Sequence, residues 1–458
     1  MATLGFNRTR LGGLSVSDMA FAASACIILA KLLNGQDHDL APPASRRTPT
    51  IVLAGSLLLL TAGTVSSFRS WNPEGSLQVV LRFAWLTLLW FWILRSVARD
   101  RGALAKLLAG WRFTVLVSSV FAVLGEIGLY QPGVANNEGR QVAFFFHPNE
   151  LAGLLVFGLP LFIFDVPRKP GDGRPVAMRV ALTGLVVYAI TTTGSMTALF
   201  STVVCFVTAG FVALASKAPR TKRRRNPLVP MAIAFGSVVG ILLLSASDLP
   251  VIERLTRFQE GDAGIESSVE TRANRNEAIL STLDETLLVG TGLQLQGQGQ
   301  GSVLKVGQVR AAAPGVVEGA HNMFLKLVHE GGTPALIGLL TVVASALRMA
   351  WRVAINTRGG ELYPVAVALL TSIVAANAFA NFGPFAYQRY YWVTVGLVTC
   401  LWAVRRQELR EMAAAAASDG PAPAPAPAPV ASQRRFAVPG RPGPHRTQLG
   451  PGPAGQAR

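Results

Sequence analysis

The sequence of 458 residues has little charge and little cysteine. Only 15% of its residues are charged, whereas 50% are hydrophobic, so most of the chain lacks the polar faces that a water-soluble fold needs. Its three cysteines, Cys26, Cys205 and Cys400, each lie within an apolar run. None has a nearby partner or metal-ligand spacing, so we predict neither a disulfide nor a metal site.

Several catalytic signatures are also absent from the sequence. It contains no H-E-x-x-H motif and no Walker-type loop. Metalloprotease and ATPase activities therefore have no support, and no cofactor is predicted. No cleavable signal peptide is evident, because the first apolar run leads directly into further runs.

Basic residues are in excess, with a formal net charge of +17. They concentrate in the C-terminal tail and in short loops at alternate ends of successive apolar runs, as at Arg95, Arg99 and Arg101 and at Arg405 and Arg406. This is the positive-inside pattern of membrane proteins. It indicates topology determinants rather than a nucleic-acid surface, and we predict no nucleic-acid partner.

Apolar runs long enough to cross a bilayer recur along the chain. A hydrocarbon core of ~30 Å needs about 20 helical residues. The runs predict an all-α, polytopic transmembrane bundle of about eleven spans, between ten and twelve. The predicted spans are Leu14–Leu33, Ile51–Val65, Leu77–Ile93, Phe113–Tyr130, Leu151–Phe164, a pair within Val180–Ala215 that meets near Thr193–Ser195, Val229–Leu244, Ala335–Leu347, Leu362–Ala380 and Trp392–Val404.

The spans divide the chain into four regions. These are an N-terminal part of the bundle (14–247), a large loop (248–322), a C-terminal part of the bundle (323–406) and a tail rich in Pro, Ala, Gly and Arg (413–458). The tail composition favours polyproline II or disorder. With the basic loops inside, the protein is expected in the plasma membrane with an extracytoplasmic loop and a cytoplasmic C-terminus.

The large loop is the only long hydrophilic stretch within the apolar part of the chain. A helix is predicted over Ser267–Glu285, and its spacing places Arg272 and Arg275 on one face beside Ile279 and Leu283. The guanidinium fork matches phosphate oxygens, so these arginines are candidate phosphate ligands. The alternative is a surface helix whose arginines pair with neighbouring carboxylates or lipid headgroups.

The loop ends in two further features. Gly290 and Gly292 predict a tight turn, which by itself is weak evidence for phosphate binding. His321 opens the helix that follows, where an imidazole can act as a base or hydrogen-bond a substrate. The alternative for His321 is a structural cap or a packed ring.

Three motifs, in this order, resemble the O-antigen ligase and O-antigen polymerase family of membrane proteins, over about residues 15–405. The first is His147-Pro148-Asn149-Glu150-Leu151-Ala152, which is similar to P-N-x-x-A. The second is Arg272 with Ala278-Ile279 and then Leu288-Val289-Gly290-Thr291-Gly292, which is similar to an Arg-led helix that ends in P-L-x-G-x-G. The third is His321-Asn322-Met323-Phe324-Leu325 with Glu330-Gly331-Gly332, which is similar to H-N-x-x-L…E-x-G. Two departures stand out. The Ser-Arg-Gly that the family often has between its paired spans is here Gly194-Ser195-Met196, and Asn276 replaces an aromatic residue.

The resemblance implies a metal-independent glycosyltransferase of surface polysaccharide assembly. It would move an oligosaccharide or polysaccharide from an undecaprenyl-diphosphate carrier to a hydroxyl of a glycan, lipid or protein at the outer face of the bilayer. The implied residues are Arg272 and His321 for catalysis, Arg272, Arg275, Arg140 and Arg389 for diphosphate binding, and Asn149, Asn322 and Glu330 in support. Glu330 is an alternative base to His321.

Two other functions stay open from the residues alone. A transporter or flippase of lipid-linked sugars would place polar residues inside the spans and often carries internal repeats. A scaffold protein that acts through its Pro/Ala tail would not need the arginines of the loop.

Overall fold

The computed structural model describes most of the chain's apolar segments. The described residues are 10–11, 14–70, 72–130, 140–145, 147–164, 176–215, 270, 273–274, 276–277, 279–293, 322–357, 360–383 and 388–418. The predicted span Val229–Leu244 and the C-terminal tail from residue 419 onward lie outside them.

The regular secondary structure of the described residues is helical except for one short antiparallel pairing, between β1 (Arg10–Leu11) and β2 (Leu14–Ser15). The helices are α1 (Val16–Leu33), α2 (Pro43–Arg46), α3 (Thr50–Ser67), α4 (Pro73–Ala84), α5 (Trp90–Val97), α6 (Arg101–Glu126), α7 (Pro148–Gly158), α8 (Pro160–Ile163), α9 (Val176–Thr192), α10 (Met196–Ala215), α11 (Leu283–Thr286), α12 (Met323–Asn356), α13 (Leu362–Ala380) and α14 (Arg389–Ser418). A 3₁₀ turn at Asp37–Asp39 and a π-helical segment at Trp85–Leu89, which joins α4 to α5, complete the helical elements described.

Five of these helical stretches are long and apolar enough to cross a membrane, which supports a helical membrane protein. They are Thr50–Ser67, Pro73–Val97, Arg101–Glu126, Met323–Asn356 and Leu362–Ala380. Three shorter apolar helices cover Pro148–Ile163, Ala177–Thr192 and Met196–Val212. The count of eleven spans stays a prediction.

The predicted break within Val180–Ala215 is confirmed. Helix α9 ends at Thr192 and α10 begins at Met196. Gly194 between them has φ +59°, a left-handed conformation that glycine adopts at little cost and that commonly ends a helix.

Two predicted helices have different bounds in the structure. The helix predicted over Ser267–Glu285 is interrupted, because Ser281 and Thr282 form a turn before α11. The span predicted to begin at Ala335 belongs to a helix that starts at Met323. That helix is kinked at Gly332, whose φ of 74° and ψ of 174° are not helical.

Charged side chains join the helices at one end of the bundle, which we call the basic end. Arg101 at the start of α6 pairs with Glu361, which precedes α13, at 3.0 Å, and also with Glu408 of α14. Buried Arg95 of α5 donates to the Thr399 carbonyl oxygen of α14 at 2.7 Å. Arg95 and Arg101, which the positive-inside pattern predicts on one side of the membrane, therefore both lie at this end.

Helix termini meet at the opposite end, which we call the polar end. Three side-chain contacts join them: Asp18 with Arg389, Glu150 with Gln388, and Asn322 with Asn381. These contacts bring the starts of α1, α7, α12 and α14 and the end of α13 to the same end of the bundle.

Helices α3 and α12 pack closely against each other in the core. A Cβ on Gly338 would lie 2.6 Å from the backbone nitrogen of Leu59, and one on Gly55 would lie 2.9 Å from the Gly338 carbonyl oxygen. The two glycines allow the backbones to touch, as small residues do between membrane helices. This contact fixes α12, whose first turns lie at the polar end.

Candidate functional site

Arg140 lies at the break between α9 and α10. Its Nε donates to the Thr193 carbonyl oxygen at 2.8 Å, and its Nη2 donates to Asn149 Oδ1 at 3.0 Å. The side chain packs over Gly194, where a Cβ would lie 3.1 Å from Arg140 Cγ. The end of α9 presents carbonyl oxygens, and a cation is favoured there by the helix dipole.

A guanidinium is therefore present at this break although position 196 is methionine. Arg140 is only 9% exposed, so its orientation is set by its surroundings rather than by solvent. Sequence separation of 53 residues from Thr193 is the reason that no local pattern revealed this pairing.

The motif that contains Asn149 forms the first turn of α7. His147 is the N-cap, and its Nδ1 accepts the backbone N–H of Asn149 at 3.1 Å. Pro148 occupies the first helical turn, where a missing N–H costs nothing. Glu150 Oε1 accepts from Gln388 Nε2 at 2.7 Å, which ties α7 to the start of α14.

The glycine turn packs directly on the first segment of α12. The N–H of Thr291 donates to the His329 carbonyl oxygen at 3.0 Å, and that of Gly292 donates to the Glu330 carbonyl oxygen at 2.8 Å. A Cβ on Gly290 would overlap the Glu330 carbonyl group. Two motifs that are 38 residues apart in sequence therefore share one backbone contact, and the glycines serve close approach.

Replacing Gly290 by alanine is expected to lower the free energy of unfolding by about 1–3 kcal/mol, because the new Cβ meets backbone atoms that have no freedom to move. Gly184→Ala in α9 is the matched control, since a Cβ there meets no atom within 4 Å. Unfolding of both variants in mixed micelles would measure the difference. A Gly290→Ala protein as stable as Gly184→Ala would contradict this account of the turn.

A buried ion pair follows the glycine contact on α12. Lys326 Nζ lies 2.7 Å from Glu330 Oε1, and the two side chains are 3% and 5% exposed. The pair has the i,i+4 spacing of helical neighbours. Both charges belong to the first segment of α12, before the kink at Gly332.

Asn322 forms the cap of α12. Its Oδ1 accepts the N–H groups of Phe324 at 2.9 Å and Leu325 at 3.0 Å, and its Nδ2 donates to Asn381 at 3.5 Å. Asn322 therefore joins the start of α12 to the end of α13 at the polar end.

Arg389 forms an ion pair with Asp18. Its Nε donates to Asp18 Oδ1 at 2.9 Å, and its Nη2 contacts the second oxygen of the same group. The side chains of Arg389 and Asp18 are 14% and 11% exposed. This bidentate pair anchors α1 to α14 and occupies the fork that a phosphate would need.

The structure brings some of the predicted site residues together and places others apart. Arg140 and Asn149 are brought together, Asn322 and Glu330 lie on the same helix segment, and Arg389 is paired elsewhere at the polar end. Arg272, Arg275 and His321 lie outside the described residues. Among the residues that the structure describes, no group of three or more His, Cys, Asp or Glu side chains could hold a metal ion.

Sequence reasoning missed Lys326, Gln388 and Tyr390 and gave Glu150 no role of its own. The i,i+4 spacing of Lys326 and Glu330 was a readable signal for the ion pair. Gln388 and Tyr390 gave no such signal, because their partners on α7 lie more than two hundred residues away.

The comparisons with known proteins add no assignment. No protein-family model matches the chain, and no curated protein matches it.

Proposed function

We propose that the protein is a membrane glycosyltransferase that transfers an oligosaccharide or polysaccharide from an undecaprenyl-diphosphate carrier to a hydroxyl of a glycan, lipid or protein. The polar end of the bundle then faces the outside of the plasma membrane, and the basic end and the C-terminus face the cytoplasm. The resemblance to O-antigen ligases and polymerases supplies the reaction.

The observation that carries the proposal is the position of Arg140. A leaving lipid diphosphate develops negative charge at the level of the headgroups, and a fixed cation there stabilises that charge. Arg140 is held at the polar end by hydrogen bonds to a carbonyl oxygen and an amide oxygen, and a guanidinium keeps its positive charge at any physiological pH.

The contact between the glycine turn and α12 gives further support. It joins the Leu288–Gly292 motif to the Glu330–Gly332 motif through backbone hydrogen bonds. The ordered motifs of the resemblance thus include two that are neighbours in space, as expected for parts of one site.

In the proposed reaction, Arg272, Arg275 and Arg140 bind the diphosphate, and His321 orients the acceptor hydroxyl through a hydrogen bond. Asn149 orients Arg140, and Asn322 and Glu330 support the start of α12. The energy for transfer is already present in the diphosphate linkage, so neither a nucleotide nor a metal is part of the scheme.

A flippase of lipid-linked sugars is the second candidate, and buried charge within the helices favours it. Lys326 and Glu330 are buried in a helix long enough to span the membrane, and Arg112 of α6 is 7% exposed. Ionisable groups at membrane depth are costly and often mark a pathway for a polar substrate.

A reconstituted assay tests the proposal. The purified protein is placed in liposomes with undecaprenyl-diphosphate oligosaccharide and candidate acceptors, and product formation is compared for wild type, Arg272→Ala and His321→Ala. We expect transfer by wild type and a loss of about 100-fold or more in each variant. Undiminished transfer in both variants would contradict their assignment, and translocation without transfer would favour the flippase.

A further inference from the structure

Glu150 lies at the junction of α7 and α14, one residue after the asparagine that binds Arg140. Glu150, Gly153 and Phe157 share one face of α7 at helical spacing. That face meets the start of α14: Gln388 donates to Glu150 at 2.7 Å, and the rings of Tyr390 and Phe157 are 5.4 Å apart.

The hydroxyl of Tyr390 lies on the same face. Its side chain is 2% exposed, and its oxygen has no hydrogen-bond partner among the described residues. A Cβ on Gly153 would lie 3.0 Å from it, so the hydroxyl points at the one small residue of this face. A buried polar atom without a partner is costly, and a water or a ligand hydroxyl is the natural partner.

We propose that Glu150 is a further catalytic residue, which accepts the proton of the acceptor hydroxyl, with Gln388 and Tyr390 as positioning residues. This inference rests on the proposed transferase function. Asn149 and Glu150 are consecutive in the first turn of α7. Asn149 binds Arg140, the cation that stabilises the leaving group, and Glu150 provides a carboxylate for the acceptor.

Three other carboxylates described at the polar end are less suited to this step. Glu330 lies on α12, where it pairs with Lys326, and Asp18 lies on α1, where it pairs with Arg389, so neither adjoins the asparagine that binds Arg140. Glu126 has an amide partner, Gln141 at 3.2 Å, but it lies at the end of α6 rather than beside Asn149.

The step is a displacement at the anomeric carbon of the donor sugar. The acceptor oxygen forms a bond to that carbon while its proton passes to the carboxylate of Glu150. The bond from the carbon to the phosphate oxygen breaks, and the electron pair leaves with the lipid diphosphate, whose charge Arg140 stabilises.

The test compares Glu150→Gln with Glu126→Gln in the liposome assay, with undecaprenyl-diphosphate oligosaccharide as the donor. We expect Glu150→Gln to lower the rate of transfer by about 100- to 10,000-fold without loss of donor binding, and Glu126→Gln to keep the wild-type rate. Glu150→Asp should restore part of the rate. The fall in wild-type rate toward low pH should disappear from the residual activity of Glu150→Gln.

Gln388→Leu keeps the carboxylate and provides a second measurement. Without the amide donor the ionised form of Glu150 is less stabilised, so the acidic limb of the pH–rate profile should move to higher pH. A Glu150→Gln rate within twofold of wild type, or an unchanged acidic limb in that variant, overturns the inference while the transferase stands. A wild-type protein that transfers nothing overturns the proposed function and this inference with it.

Discussion

Arg140→Ala is expected to lower the rate of transfer about 100- to 1000-fold, the effect of removing one fixed donor from a developing anion. The loss should appear in the maximal rate, because the guanidinium acts on charge that grows as the lipid diphosphate leaves. Initial rates in liposomes at saturating donor and acceptor would measure it.

Two variants control this result. Arg140→Lys keeps the charge but loses the fork that reaches both Thr193 and Asn149, so it should recover only part of the rate. Arg348→Ala, at an exposed position near the basic end, should leave the rate unchanged. A wild-type rate for Arg140→Ala together with a reduced rate for Arg272→Ala would contradict a role of Arg140 in stabilising the leaving diphosphate.

Breaking the ion pair on α12 from one side is expected to give the largest change in stability. Glu330→Leu leaves the Lys326 ammonium buried without its carboxylate, and an uncompensated buried charge costs about 3–5 kcal/mol. The free energy of unfolding in mixed micelles of detergent and denaturing surfactant would report the loss.

The double variant Lys326→Met with Glu330→Leu separates charge from packing. It removes both charges and keeps apolar volume, so it should recover most of the stability lost by the single variant. Lys31→Met provides a comparison at an exposed pair, since Lys31 and Asp39 are 33% and 51% exposed, and its unfolding midpoint should hardly move. A single Glu330→Leu variant as stable as the double would contradict a buried charge pair.

Short-range features of the fold could be predicted from the sequence because each depends on a few neighbouring residues. The span Leu362–Ala380 has the same bounds in the prediction and in the structure, since an unbroken apolar run determines where a helix can lie in a bilayer. The break before Met196 followed from Gly194, whose positive φ ends α9.

Features that depend on packing between helices could not be predicted. The span predicted from Ala335 instead continues a helix that starts at Met323 and kinks at Gly332. Gly332 packs closely on Leu288, since a Cβ on Gly332 would lie 2.6 Å from the Leu288 carbonyl oxygen. Arg389 was expected to bind phosphate, and its pairing with Asp18 spans 371 residues. No local pattern specifies such a partner.

The sequence by itself determined that the protein is helical and apolar enough for a membrane, and it located several of the helices, because hydrophobic run length and glycine conformation are local properties. It also supplied the motifs on which the transferase hypothesis depends. Only the tertiary structure decided which partners Arg140 finds at the break before α10, which residue of α14 binds Glu150, and that the pair of Lys326 and Glu330 in α12 is buried. The first two pairings follow from how helices distant in sequence pack side by side, and the burial of the third follows from the contacts that enclose α12.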